Sequence, residues 1–173
     1  MEQSIYSIRK SFLLPLGLVV LLSFLLLGSA LFLQLPLAKV IILGVFLVPV
    51  CIIFIESSLR KVHVDDNAVQ VDKLFRSKRL NYADLTSLDT VQVRRRAFIS
   101  LSSENDFLIL SNSYDQFGLL LKQLVTKVPQ SIVSDAARQL ASNPPKKCSD
   151  VFSAWLAVAV LALIIYVQFN AAS

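Results

Sequence analysis

The sequence predicts a membrane α plus soluble α+β protein: three transmembrane helices and a curled antiparallel β-sheet capped by a C-terminal amphipathic helix. Three observations carry this. No charged side chain occurs between Lys10 and Lys39, between Lys39 and Glu56, or after Asp150. The block between Glu56 and Asp150 holds nearly all the charge. Within that block apolar residues first alternate with period two and later recur at helical spacing.

A helix needs about 20 apolar residues to cross the hydrocarbon core of a bilayer. The run 12–33 satisfies this, with Ser23 and Ser29 as its polar members. The run 36–55 does so as well, interrupted by Lys39 and Pro49. Lys39 lies in the first turn, where a long side chain reaches the headgroups, and Pro49 predicts a kink. The third run extends from Val151 to Phe169, with Trp155 and Tyr166 toward its ends, where interfacial aromatics belong. Ser153, Ala154 and Ala157 offer it a small-residue contact. A soluble chain of 173 residues could hardly bury three such runs. A signal peptide cleaved near Gly28-Ser29-Ala30 is disfavoured, because the apolar run is too long and a second span follows at once.

The link Gln34-Leu35-Pro36 is so short that the first two spans form an antiparallel hairpin. Arg9, Lys10, Arg60, Lys61, Lys146 and Lys147 then flank one side and Lys39 the other. The excess of Lys and Arg assigns the first side to the cytosol, with the C-terminus external. The expected organisation is a transmembrane hairpin over 1–56, a cytosolic domain over 57–129, a short helix and linker over 130–149, and a last transmembrane helix over 150–173. The net charge of +5 is largely explained by the flanking cations. Cys51 and Cys148 have neither metal-site nor redox-pair spacing and read as free thiols.

The polar block opens with alternation. Val62 and Val64 flank His63, Asp65-Asp66-Asn67 signals a turn, and Val69 and Val71 flank Gln70. Leu74-Phe75 and Leu80-Tyr82 predict a third strand bent near Ser77, with Phe75, Tyr82 and Phe98 facing the core. Leu85 and Leu88 mark a short connector, after which Val91 and Val93 resume alternation. Ile99 and Leu101 follow, then a turn at Ser103–Asp106, then a fully apolar strand from Phe107 to Leu110. Six or seven short strands joined by tight turns imply an antiparallel sheet that curls or closes. Ser113 followed by Gln116 has capping-box spacing. Phe117, Leu120, Leu121, Leu124 and Val128 then fall on one helical face, which must cover the open end of the sheet. A second short helix is expected over 130–142, with Ser131 as its cap.

A curled antiparallel sheet closed by one amphipathic helix resembles the pleckstrin-homology-like (PH-like) fold. Two apolar helices followed directly by such a domain resemble the bacterial PH-like membrane proteins. The resemblance covers roughly Leu59 to Val128, through Leu80-Asn81-Tyr82-Ala83-Asp84-Leu85 and the strand and helix 107–110 and 117–128. It implies residence in a bacterial inner membrane and action through protein contacts or oligomer formation. Phosphoinositide-binding members use basic residues around the loop joining their first two strands. Taken as Asp65-Asp66-Asn67, that loop is acidic here and would repel a phosphorylated headgroup.

The candidate contact residues are Arg60 and Lys61, the cluster Lys73, Arg76, Lys78 and Arg79, and the run Arg94-Arg95-Arg96. On a strand Arg95 would point with Val91 and Val93, and a buried Arg is costly, so that run belongs at a strand end or hairpin tip. These cations fit anionic membrane lipid or an acidic protein partner; a solvated basic surface is the plainer alternative. Nucleic-acid binding is not expected, since no stacking aromatic accompanies them. Catalytic residues, cofactors and metal ligands are expected to be absent. The single histidine, His63, lies between valines, glycines occur only at 17, 28, 44 and 118, and Asp65-Asp66 makes a turn more readily than a cation site. The expected function is thus a non-catalytic adaptor or assembly module. An accessory subunit of a larger membrane enzyme or transporter and an anionic-lipid sensor are the alternatives.

Overall fold

The computed structural model describes residues 4–94, 96–144 and 149–172. Three helices in it are long and apolar enough to cross a membrane: α1 (Lys10–Phe32), α2 (Leu37–Leu59) and α5, of which Val151–Asn170 is the apolar span. Each runs a few residues beyond or short of the sequence expectation. Polar residues such as Lys10 and Glu56-Ser57-Ser58 continue a helix whose backbone bonds are satisfied internally.

The chain divides into two compact units. One comprises the three apolar helices. In it α1 packs along α5 (Ser149–Ala172), where Ser29 and Ala30 of α1 are buried and Gln168 Nε2 donates to Ser29 Oγ at 3.2 Å. A polar pair between two apolar helices is satisfied internally, as hydrocarbon requires. Helix α2 meets α1 at Gly17, where a Cβ would stand 3.2 Å from the Phe54 ring.

The other unit is discontinuous in sequence. Its first strand, β1 (Ser4–Ser7), precedes α1, and the rest follows α2. The sequence reading missed β1 because four residues ahead of an apolar run carry no pattern of their own. A four-stranded antiparallel sheet has the order β1-β2-β3-β4, with β2 Lys61–Val64, β3 Ala68–Asp72 and β4 Ser77–Asn81. A three-stranded antiparallel sheet has the order β5-β6-β7, with β5 Leu85–Val93, β6 Arg96–Ser103 and β7 Phe107–Ser111. Val62, Val64, Val69, Val71 and Leu80 from the first sheet and Leu88, Ala97, Ile99, Leu101, Leu108 and Leu110 from the second are buried.

Several expectations need correction. Leu74-Phe75 is a turn, not strand, and Phe75 is 88% exposed rather than core. The connector expected at Leu85 and Leu88 is a 3-10 turn at Tyr82–Asp84, and Leu85 already begins β5. The apolar stretch Phe107–Leu110 is a strand as expected, and within it Leu108 and Leu110 face inward while Phe107 and Ile109 face out. Phe98 is half-buried on that same outer side, whereas Tyr82 is core as expected.

Helix α3 (Phe117–Lys127) buries Phe117, Leu120, Leu121 and Leu124, with Val128 at its end, as the 3.6 period predicts. Its start differs. The Ser113/Gln116 capping box is not formed; Gln116 is itself the N-cap in the left-handed region, φ 50°, with no side-chain cap bond. The second helix is split into a 3-10 turn at Gln130–Ile132 and α4 (Asp135–Ser142). Its cap is Ser134, not Ser131: Ser134 Oγ accepts from Ala137 N at 3.2 Å. Val133 and Ser134 attach this segment to β5, through a parallel bridge to Leu88 and the bond from Ser134 N to Leu88 O at 3.0 Å.

Candidate functional site

The basic residues singled out from the sequence do not form one surface. Arg60 immediately precedes β2 and is half-buried; Lys61 opens β2 and is exposed. Lys73 and Arg76 are exposed on the β3–β4 turn, which closes through Lys73 N to Arg76 O at 2.8 Å. Register joins these two groups, since Lys61 pairs with Asp72 and Asp72 with Ser77.

Lys78 and Arg79 adjoin the turn in sequence but do other work. Lys78 shares a face with Leu80, so its stem lies along the core edge while its ammonium reaches Asp106 Oδ1 at 2.7 Å. The same ammonium stands 5.1 Å above the Phe107 ring centroid, a cation–π arrangement. Arg79 points to the opposite face, 4.0 Å from Asp65 Oδ2.

Arg94 and Arg96 sit at the tip of the β5–β6 hairpin. Val93 pairs with Arg96 across a two-residue loop. Arg94 takes a left-handed φ of 55°, which such a loop uses to follow strand twist. Arg94 and Arg96 are exposed; Arg95 lies outside the described residues, as do Lys146, Lys147 and Cys148.

The acidic loop Asp65-Asp66-Asn67 joins β2 to β3, not the first two strands of the sheet. The connection between the first two strands is the α1–α2 hairpin itself. The acidic loop is occupied by a cation of the chain: Lys127 Nζ lies 2.9 Å from Asp65 O and 3.0 Å from Asp66 Oδ1. This bond and charge hold the Asp66 carboxyl below the usual carboxylate range. Nearby, Tyr82 Oη is buried with no hydrogen-bond partner, and burial pushes its phenol up, aided by Asp65 and Asp66.

His63 is held on the outer face of the first sheet, Nε2 at 3.1 Å from Asp72 Oδ2. Asp72 also accepts from Gln70 Nε2 at 2.8 Å, so the imidazole belongs to a cross-strand polar cluster. Among the described residues no three His, Cys, Asp or Glu side chains come together as a metal site.

The surface that sequence reasoning missed is the outer face of the second sheet. Register places Val91 beside Phe98 and Ser111, Ser100 beside Ile109, and Ser102 beside Phe107. Val91, Val93, Phe107 and Ile109 are each more than half exposed. The available signal was the seryl alternation Ser100, Ser102 in β6, which marks a solvent face and sets the phase of its neighbours.

No protein-family model matches the chain, and no curated protein matches it in sequence.

Proposed function

We propose that this is a non-catalytic protein of a bacterial inner membrane that presents a PH-like domain, on the cytosolic side, as an adaptor or assembly module. Support for the PH-like reading comes from the element order. A four-stranded and a three-stranded antiparallel sheet are followed by a helix that buries five apolar side chains from Phe117 to Val128. The pairing of β1 with β2 supports the topology: a chain that leaves one strand and returns to its neighbour must end on the side from which it started.

The observation that carries the assembly role is the exposed apolar side chains Val91 and Val93 on β5 and Phe107 and Ile109 on β7. They share one sheet face and are joined diagonally through half-buried Phe98 of β6, and with Arg94, Arg96 and Lys78 at the margin they have the pattern of a protein-docking patch. Gentle detergent extraction followed by native mass measurement tests it. The wild-type chain is expected as a homo-oligomer or with a bound protein, and the Phe107→Asp/Ile109→Asp variant as a monomer. Identical masses for the two would sink the proposal. An external-side reporter fused after Ser173 is expected to be active, and one at Asn105 inactive.

The accessory-subunit reading is favoured by an apolar groove of about 480 Å³ among the helices, lined by Leu26, Leu43, Leu47, Leu156, Ala157 and others. A helix of a larger membrane complex would fill it. Co-purification of a fixed set of membrane proteins, abolished by Ala157→Phe, is the expected result; its persistence in that variant excludes this groove as the contact.

A further inference from the structure

The two ends of the first sheet differ in charge. Register aligns Ser7, Lys61, Asp72 and Ser77 across its four strands. The Lys73–Arg76 turn therefore projects from the end where β1 runs out toward α1 and β2 comes in from α2. Only Ile8 and Arg9 separate β1 from α1, and only Arg60 separates α2 from β2. Arg60, Lys61, Lys73 and Arg76 cluster at this end. Its acidic members are Asp72, engaged by His63 and Gln70, and Asp115, whose N–H donates to Ser7 O at 2.8 Å. The opposite end carries Asp65, Asp66 and, just past β4, Asp84. Pro144 packs on Gly118, in the first turn of α3, just beyond the Asp115–Ser7 bond.

Phe75 stands at the tip of this basic end. It is the most exposed large apolar side chain among the described residues, at 88%. Tight turns use Gly, Pro, Asn, Asp and Ser for their backbone chemistry, and nothing in a four-residue turn requires a phenyl ring. An exposed ring between two cations is, however, the composition that lies at a membrane–water interface. The ring enters the boundary between headgroups and acyl chains, and the cations stay with the phosphates.

We propose that the β3–β4 turn is an interfacial anchor: Phe75 inserts at the headgroup level, and Lys61, Lys73 and Arg76 contact anionic phospholipid headgroups. The site takes the general negative charge of a leaflet, not one phosphorylated headgroup, because the cations are spread over a turn and a neighbouring strand and form no pocket. The hairpin tip joins the same region. Ala97, next to Arg96, accepts from Asn112 N at 2.9 Å, and Ser113 accepts from Arg9 N at 3.2 Å. The proposal rests on the membrane reading of α1, α2 and α5, and is independent of the PH-like and assembly readings.

The protein has one tryptophan, Trp155, which allows a clean test. The full-length chain carrying Trp155→Phe and Phe75→Trp is placed in nanodiscs of phosphatidylcholine alone or mixed with phosphatidylglycerol. In the anionic discs, emission is expected to shift to shorter wavelength and to be quenched by lipid brominated near the headgroup. Both effects are expected to be lost at high salt or on adding Lys73→Gln and Arg76→Gln. Water-like emission in both disc types overturns the proposal. Equal burial in both overturns its charge component. Burial in native membrane vesicles but not in anionic discs assigns the turn to a protein partner instead of lipid.

Discussion

Tyr6 and Gln123 stand 117 positions apart, yet the Tyr6 hydroxyl donates to Gln123 Oε1 at 2.8 Å while Gln123 Nε2 donates to Ser4 Oγ at 3.1 Å. One side chain of α3 thus fixes two residues of a strand that the chain lays down before either of the first two apolar helices. Because β1 is only four residues long and sits at the sheet edge, this clamp and the bond from Asp115 N to Ser7 O add to its ladder with β2 in holding it on the sheet. Tyr6→Phe is expected to cost about 1 kcal/mol, and Gln123→Leu slightly more because two partners lose a bond. A double-mutant cycle in detergent, read by thermal unfolding, should show coupling on the order of 1 kcal/mol; strict additivity would mean the bond contributes nothing.

Tyr82 should behave oppositely. Its hydroxyl is buried without a hydrogen-bond partner, so Tyr82→Phe is expected to leave stability unchanged or raise it at neutral pH. The sign of the pH effect follows from the raised phenol. Above the unfolded pKa near 10 the unfolded chain loses its proton while the native state keeps it, so stability falls as pH rises. The stabilisation is fully present below about pH 10 and is lost above it. Tyr6, also raised by burial, contributes in the same direction. Unfolding midpoints between pH 9 and about 11 should fall less steeply in the Phe variant than in the wild type.

The start of α3 offers two substitutions of opposite sign. Gln116 occupies a left-handed conformation that glycine adopts without cost, so Gln116→Gly is expected to stabilise by about 1 kcal/mol. Gly118, two residues on, has no room: an added Cβ would stand 2.7 Å from Pro144 Cγ. Gly118→Val is expected to destabilise by about 1–3 kcal/mol despite removing a glycine from a helix. Chemical denaturation of both variants in the same detergent checks the pair.

Phe117 is the largest fully buried side chain in the α3 stripe. Phe117→Ala is expected to cost about 3–5 kcal/mol and to unfold the polar unit first. Hydrogen exchange should then show lost protection in β1–β7 while α1, α2 and α5 remain protected. Simultaneous loss in both units would show that they unfold as one.

Much of this fold was legible because the relevant signals are local. A run of apolar residues long enough for a membrane, valines on either side of His63 and Gln70, and the spacing Phe117-Leu120-Leu121-Leu124 each declare an element without reference to the rest of the chain. The candidate surfaces were less legible. Lys73, Arg76, Lys78 and Arg79 form one cluster in sequence, but pleat and turn send them to different places: Lys73 and Arg76 out at a tip, Lys78 along the core edge, Arg79 to the far face. An aromatic next to Leu74 matches a strand pattern and so predicts a core position for Phe75, because periodicity cannot register a four-residue turn. Phe107 and Ile109 were hidden inside an apolar run whose alternation is visible only once β6 sets its phase.

By itself, then, the sequence determined the three membrane-length helices, the β-then-α order of the polar block and the buried face of α3, since hydrophobic length and period depend on neighbours in the chain. Tertiary structure alone decided that Ser4–Ser7 is a strand of the polar unit. It also decided that Lys127 reaches into the Asp65-Asp66 loop, and that one end of the first sheet is basic with Phe75 at its tip. Each of these depends on pairing between distant segments, and the residues that pair carry no local mark of their partner.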